Sequence, residues 1–294
     1  MNRARKIIHA EEAWVRGITG RGITAAVLDT GAARHPDFAD RLVCFRDFIG
    51  GRTSPYDDYG HGTHVTGILA GNGALSKNYR GIAPETRIVS LKVLDRNGNG
   101  RRSDVINGIR WVIRHREEYG IRVMNISVGT VKEGDSRDAL LVQAVEEAWD
   151  AGLVVVVAAG NMGPMPQTIT APGNSRKVIT VGSSDDSAPV YSGRGPTKNC
   201  VCKPDVVAPG SGIVSCSALW QRGQAYCRKS GTSMATPMVS GAAALLLSQE
   251  PWLTNVEVKM RLMETTDDLG RPHSRQGWGL LNIGRFCRIF LTNR

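Results

Sequence analysis

"LVVVVAAGN", residues 153–161, is an unbroken apolar run that ends on a glycine and an asparagine. It has the length of a strand, and it lacks the apolar/polar alternation of a strand with one wet face. Such a run is expected where helices cover both faces of a parallel sheet. Working outward, "IRVMNISVG" (121–129), "RIVSLKVL" (87–94), "ITAAVLDTG" (23–31) and "KVITVGSS" (177–184) read as further strands. Helical patterns separate them. In "SDVINGIRWVIRHREEYG" (103–120), Val105, Ile106, Ile109, Val112 and Ile113 share one face; Ser103 is placed to cap the start and Gly120 the end. "SRDALLVQAVEEAWDAG" (136–152) is a second helix, with Gly152 just past its end. Strands alternating with helices of this length predict an α/β fold with a mostly parallel central sheet and helices on both faces. In such sheets the site lies beyond the carboxyl ends of the strands. Asp29, Ser127-Val128-Gly129 and Asn161 all fall at that rim.

Toward the C-terminus, Thr254 and Glu257 have the spacing of a capping box, and "GWGLLNIGRF" (277–286) reads as a closing turn and strand. No composition shift, linker or repeat divides the chain, so residues 1–294 are expected to form a single domain.

Composition narrows the function classes. Hydrophobic residues are 41% and charged residues 22% of 294, which fits a soluble globular protein. The net charge is +10, but the basic residues are dispersed, with only short pairs such as Arg101-Arg102 and no aromatic-interleaved stripe. Nucleic acid is therefore not an expected partner. The longest apolar runs are too short to span a bilayer, and the basic start "MNRARKIIHAEEAW" lacks the apolar stretch of a signal peptide. The expectation is a cytoplasmic protein away from the membrane, or a secreted one if this is a trimmed mature form. Six cysteines, at 44, 200, 202, 216, 227 and 287, match no common zinc spacing. Zinc, a disulfide among Cys200, Cys202, Cys216 and Cys227, and free thiols are the readings left open.

Three segments carry chemistry. "AVLDTG" holds Asp29, "GHGTHVTGILAG" holds His61 and His64, and "SGTSMATP" holds Ser233. A hydroxyl becomes a nucleophile when a base takes its proton, and the base needs a carboxylate to fix its tautomer and stabilise its cation. The order Asp, His, Ser along the chain is one of the known arrangements of that triad. With "HPDF", "GIAPETRIVSLKVL", "AAGN" and "GTSMATPMVSGAAALL", the chain resembles the subtilases, the subtilisin-like serine peptidases, from about "AWVRGITG" to "GWGLLNIG".

The resemblance implies a subtilisin-like three-layer fold and an endopeptidase that cuts peptide bonds through an acyl-enzyme. It casts Ser233 as nucleophile, His61 as general base and then acid, Asp29 as the orienting carboxylate, and Asn161 as the side-chain donor to the oxyanion. Ser233 would start a helix whose free N–H groups and dipole favour developing negative charge; Pro237 was expected to sit early enough in that helix to need no N–H partner. His64 is expected to be structural. Substrate would lie extended between Ser127–Gly129 and a facing strand, "DRNGNG" at 95–100, which supplies Gly98 and Gly100. Ser127, Val128, Gly129, Ala158, Ala159 and Gly160 would line the S1 pocket, with Met162 at its rim and Thr170 on its floor. Small walls and an uncharged floor imply a medium or large apolar P1 residue. No metal ligands are assigned and no cofactor is required. The loop after the histidine helix (70–84) has no carboxylate, which argues against the family's high-affinity calcium site and leaves only a weak calcium site near Asp57, Asp58 or Asp205. Peptides or proteins are the expected partners, with the oligomeric state open. The alternative to a peptidase is a catalytically silent subtilase fold that binds peptides or regulates.

Overall fold

In chain order the strands are β1 (Thr24–Asp29), β2 (Leu42–Asp47), β3 (Arg87–Lys92), β4 (Ile121–Ile126), β5 (Val154–Ala158), β6 (Ile179–Ser183), β7 (Val206–Ala208), β8 (Ile213–Cys216) and β9 (Tyr226–Lys229). The helices are α1 (Asn2–Ile7), α2 (Ala10–Val15), α3 (His61–Ala70), α4 (Arg102–Tyr119), α5 (Ser136–Asp150), α6 (Thr232–Gln249), α7 (Asn255–Thr265), α8 (His273–Gln276) and α9 (Ile283–Phe286). They come from a computed structural model, which describes residues 1–129, 136–187 and 189–288.

The first seven strands form one sheet in the order β2-β3-β1-β4-β5-β6-β7, and every pairing is parallel. β8 and β9 make a separate antiparallel hairpin. Strands β1, β5 and β6 are buried at every residue. The α3–α6 pair and the α4–α5 pair pack against these central strands, which is why the sequence shows no alternation there. From β1 the chain runs first to one side of the sheet and then, at β4, to the other. The switch therefore lies at the carboxyl ends of β1 and β4, where an open α/β sheet leaves a crevice. Leu28 pairs with Ile126 and Ile126 with Val157, so Asp29, Ser127 and Ala158 leave the sheet at one level.

The five strands expected for the central sheet are present. β2, β7, β8 and β9 were not foreseen: β2 is an edge strand with a mixed burial pattern, β7 has three residues, and β8 and β9 have four each, too few to show a period. Four local expectations are corrected. Helix α4 begins at Arg102 with Arg101 as its N-cap, so Ser103 lies inside the first turn and bonds Asp104 instead of capping. The 277–286 segment is not a strand: Leu280 bridges both Val207 and Asp267, and Ile283–Phe286 is a helix capped by the Asn282 side chain. The segment 95–100 is a turn closed by Asp95, whose Oδ1 accepts the N–H groups of Asn97 and Asn99, so it is not a facing strand. Pro237 is the sixth residue of α6, one turn beyond the positions whose N–H is spare. Its missing N–H leaves the Ser233 carbonyl without an intrahelical donor, and Ser127 Oγ donates to that carbonyl at 3.3 Å. The Thr254–Glu257 capping box and the left-handed Gly120 at the end of α4 are as expected.

Candidate active site

Asp29 ends the central strand and is fully buried. Its Oδ1 accepts from His61 Nδ1 at 2.7 Å and from the Thr30 N–H at 2.8 Å. His61 is the first residue of α3, whose N-cap, Gly60, has no side chain to bond the free N–H groups. Asp57 does so instead: Oδ1 accepts from Gly60 N–H and the Thr30 hydroxyl, and Oδ2 accepts from the N–H and hydroxyl of Thr63. A carboxylate at this helix end also meets the positive end of the dipole. Thr30 then accepts from Gly62 N–H at 2.9 Å, tying the end of β1 to the first turn of α3. The approach is so close that a Cβ on Gly62 would stand 2.1 Å from the Gly31 carbonyl oxygen. His61 is thus fixed from both sides, and its Nε2 is the free edge.

Burial alone would pull the His61 imidazole down, but the adjacent Asp29 charge and hydrogen bond outweigh it, and the pKa lies above the ordinary 6.5. His64, one turn away, is the opposite case. It is fully buried, its Nε2 faces the carbonyls of Ile213 and Cys227, each at 3.1 Å, and burial pulls its pKa down to about 3. It is a neutral clip between α3 and the β8–β9 hairpin, as the sequence reading held.

Ser233 is the second residue of α6, where an N–H has no intrahelical acceptor. Its hydroxyl donates to the Ser127 carbonyl at 3.1 Å; among the described residues it makes no bond to His61. Asn161 follows β5, and its Oδ1 accepts from the N–H and hydroxyl of Thr232 at 3.0 and 3.1 Å. That leaves its Nδ2 beside Gly231, on an exposed side chain at the mouth of α6. Below Ser233 runs a polar chain that the sequence reading missed. Ser240 donates to Asn125, Asn125 Nδ2 to Ser127 Oγ, and Ser127 Oγ to the Ser233 carbonyl. The signal for it was Pro237 in an otherwise apolar helix.

Gly129 and Gly160, two of the residues expected as S1 walls, both close on Thr170. Thr170 is 3% exposed, and a Cβ built on Gly129 or on Gly160 would come within 2.5 Å of its Oγ1. Thr170 is therefore wedged between the two glycine walls. Ala158 and Ala159 are buried, the Ala159 carbonyl accepts from the Thr170 N–H at 3.1 Å, and Met162 is 53% exposed. The roomy space is next to it: a cleft of about 910 Å³ touches His61, Ser127, Val128 and Gly129, passes Gly98 and Gly100, and is floored by Leu94, Val105, Ile106, Leu140 and Leu141. Gly100 is forced there, since a Cβ would strike the Val93 carbonyl and the Leu94 side chain. The cysteines are all free thiols.

The chain matches the subtilase family over residues 20–279. It belongs to that family. This subtilase is 44% identical to the serine protease AprX of Bacillus subtilis (strain 168) over 91% of its own length and 66% of that protein, so it spans just under two thirds of that relative. It is 36% identical to Subtilisin Savinase of Lederbergia lenta over 94% of each. Its fold superposes on the crystal structure of a cold adapted subtilisin-like serine proteinase with a TM-score of 0.75, at 34% identity, covering 90% of this chain and 89% of that one. The subtilase is a serine endopeptidase, a hydrolase of the peptide bonds of peptides and proteins. No helix among its described residues is long and apolar enough to cross a membrane.

Proposed function

We propose that Ser233 is the nucleophile of this endopeptidase, with His61 as base and then acid, Asp29 as its orienting partner, and Asn161 Nδ2 and the Ser233 N–H as oxyanion donors. The observation that carries the reading is the buried 2.7 Å bond from His61 Nδ1 to Asp29, which fixes the tautomer and leaves Nε2 free at the rim that also holds Ser233. Rotation of the Ser233 side chain exchanges the Ser127 carbonyl for His61 Nε2. The alkoxide attacks the scissile carbonyl, the imidazolium is held by Asp29, and its proton passes to the leaving amine. Water then repeats the sequence to release the acid. The two N–H donors meet the oxyanion at a helix N-terminus, where no reorganisation is needed. None of these steps calls for a metal or cofactor.

The substrate lies along Ser127–Gly129 with Gly98 and Gly100 opposite. Thr170 limits the P1 side chain to an apolar group of modest size, and the leucine- and valine-lined cleft takes an apolar residue further upstream. Reaction with a fluorophosphonate, followed by mass spectrometry, is expected to label Ser233 and to leave Ser233→Ala unlabelled. Well-folded protein that stays unlabelled would instead support the silent, peptide-binding alternative. In a peptide library, Thr170→Gly is expected to favour large over small apolar P1 residues by about tenfold or more; an unchanged profile would show that Thr170 does not bound the pocket.

A further inference from the structure

The subtilase family often holds calcium in the loop after the histidine helix, and Asp57, Asp58 and Asp205 are the carboxylates of this chain nearest in kind to weak cation ligands. The residues present do not fit such an ion, because cations of the chain's own already stand there. In the loop after α3, the carbonyls of Lys77 and Arg80 accept from Arg5 Nη1 at 3.0 and 3.2 Å, and Arg5 is 5% exposed. Asp37 is occupied as well: Leu75 N–H donates to Oδ1 and the Tyr226 hydroxyl to Oδ2. Asp57 is spent on the start of α3. Asp58 accepts at 2.6 Å from Lys92, which is 1% exposed and also donates to the Thr30 carbonyl.

The Asp205 cluster is the fullest case. Lys259 Nζ donates to three consecutive carbonyls, those of Arg176, Lys177 and Val178, at 3.1, 2.8 and 3.1 Å, and lies 3.6 Å from Asp205 Oδ1. Trp149 and Trp278 close the cage, with ring centroids 5.7 and 5.9 Å from the ammonium. Lys203, 1% exposed, bonds Asp205 Oδ2 at 2.5 Å and the Val178 carbonyl at 2.8 Å. Three carbonyls and a carboxylate oxygen around the Lys259 ammonium are donors of the kind a calcium ion takes. Here the charge arrives on a side chain.

We propose that Lys259, with Arg5 at the α3 loop, is a resident cation that occupies an oxygen cluster otherwise suited to calcium, so that this chain is held without the metal and loss of Lys259 opens the Asp205 cluster to it. The proposal concerns stability and ion binding, and its test does not depend on the catalytic roles assigned above. The protein is studied in a Ser233→Ala background to prevent self-digestion. With Lys259 present, the melting temperature is expected to be the same in about 10 mM CaCl₂ as in about 10 mM EDTA. Lys259→Ser is expected to melt roughly 5 °C lower in EDTA, to recover at least half of that loss in CaCl₂, and to bind calcium in a calorimetric titration that shows none before the substitution. A parent protein that loses stability in EDTA, or that titrates with calcium, overturns the proposal. So does a Lys259→Ser variant whose loss calcium does not restore, because the cluster would then be only an ion pair. Should Lys259→Ser not fold, the parent's two arms and Arg5→Gln, tested in the same way at the α3 loop, decide it.

Discussion

His61 and His64 sit one turn apart on α3 and take opposite charge states for reasons visible in their partners. His61 faces a carboxylate and is raised above 6.5, whereas His64 faces two carbonyls and is lowered to about 3. A base must be neutral to take a proton, so the acid limb of the kcat/KM profile is expected to fall above pH 6.5. Asp29→Asn should lower kcat by about 10⁴ through loss of the tautomer and of the imidazolium's partner. An acid limb left in place by that substitution would mean that another group controls it. Asn161→Ala removes one oxyanion donor and should lower kcat by about 10²–10³, the range known for the same loss in subtilisin, with little change in KM.

At the scale of elements, two side chains tie different parts of α3 to the rest of the molecule. Asp57 ties its start to β1, and His64 ties its body to the β8–β9 hairpin. His64 gives the second tie a pH dependence. Its folded pKa, about 3, is below its ordinary 6.5, so the unfolded chain binds the extra proton between those values. Stability is therefore full above 6.5 and is lost as pH falls through the window toward 3, by up to the order of 5 kcal/mol. His64→Gln should reduce the number of protons taken up on unfolding at pH 5 by about one, measured from the slope of stability against pH; an unchanged slope would place the uptake elsewhere. Helix α7 gives a simpler case. Its capping box satisfies two backbone N–H groups, and Thr254→Ala should cost about 1 kcal/mol in denaturant unfolding while leaving activity unchanged.

For the whole molecule, the governing feature is α6, which starts at Ser233's turn and then runs through the core against strands β4 to β7. Leu245, Leu246 and Leu247 are all fully buried. The same helix therefore carries the proposed nucleophile and much of the packing that keeps it still. Leu246→Ala should lower stability by about 2–5 kcal/mol, seen as a lower denaturant midpoint at unchanged m. Kinetics of the protein that remains folded should change little, since the cavity lies well along the helix from Ser233; a large loss of kcat at full occupancy of the folded state would show that core packing sets the nucleophile's position.

The sequence alone determined the parallel sheet, because a strand buried on both faces has to be apolar throughout, as 153–161 is. It also determined the rim residues Asp29, Ser127 and Asn161, because polar residues that end apolar strands all leave the sheet at its carboxyl edge. The flanking motifs made Asp29, His61 and Ser233 legible as the triad proposed above, since each fixes a turn or helix start at its own position. What stayed hidden needed contacts between distant parts of the chain. Edge strand β2 and the three-residue β7 are defined by the partner they pair with, not by a period of their own. Thr170's wedge between Gly129 and Gly160 depends on three separate loops meeting. The same is true of the Ser127 bond that compensates for Pro237, and of the lysine and arginine that stand among carbonyls remote in sequence. Local pattern sets which face of an element is buried; only the folded chain decides which buried polar group meets which partner.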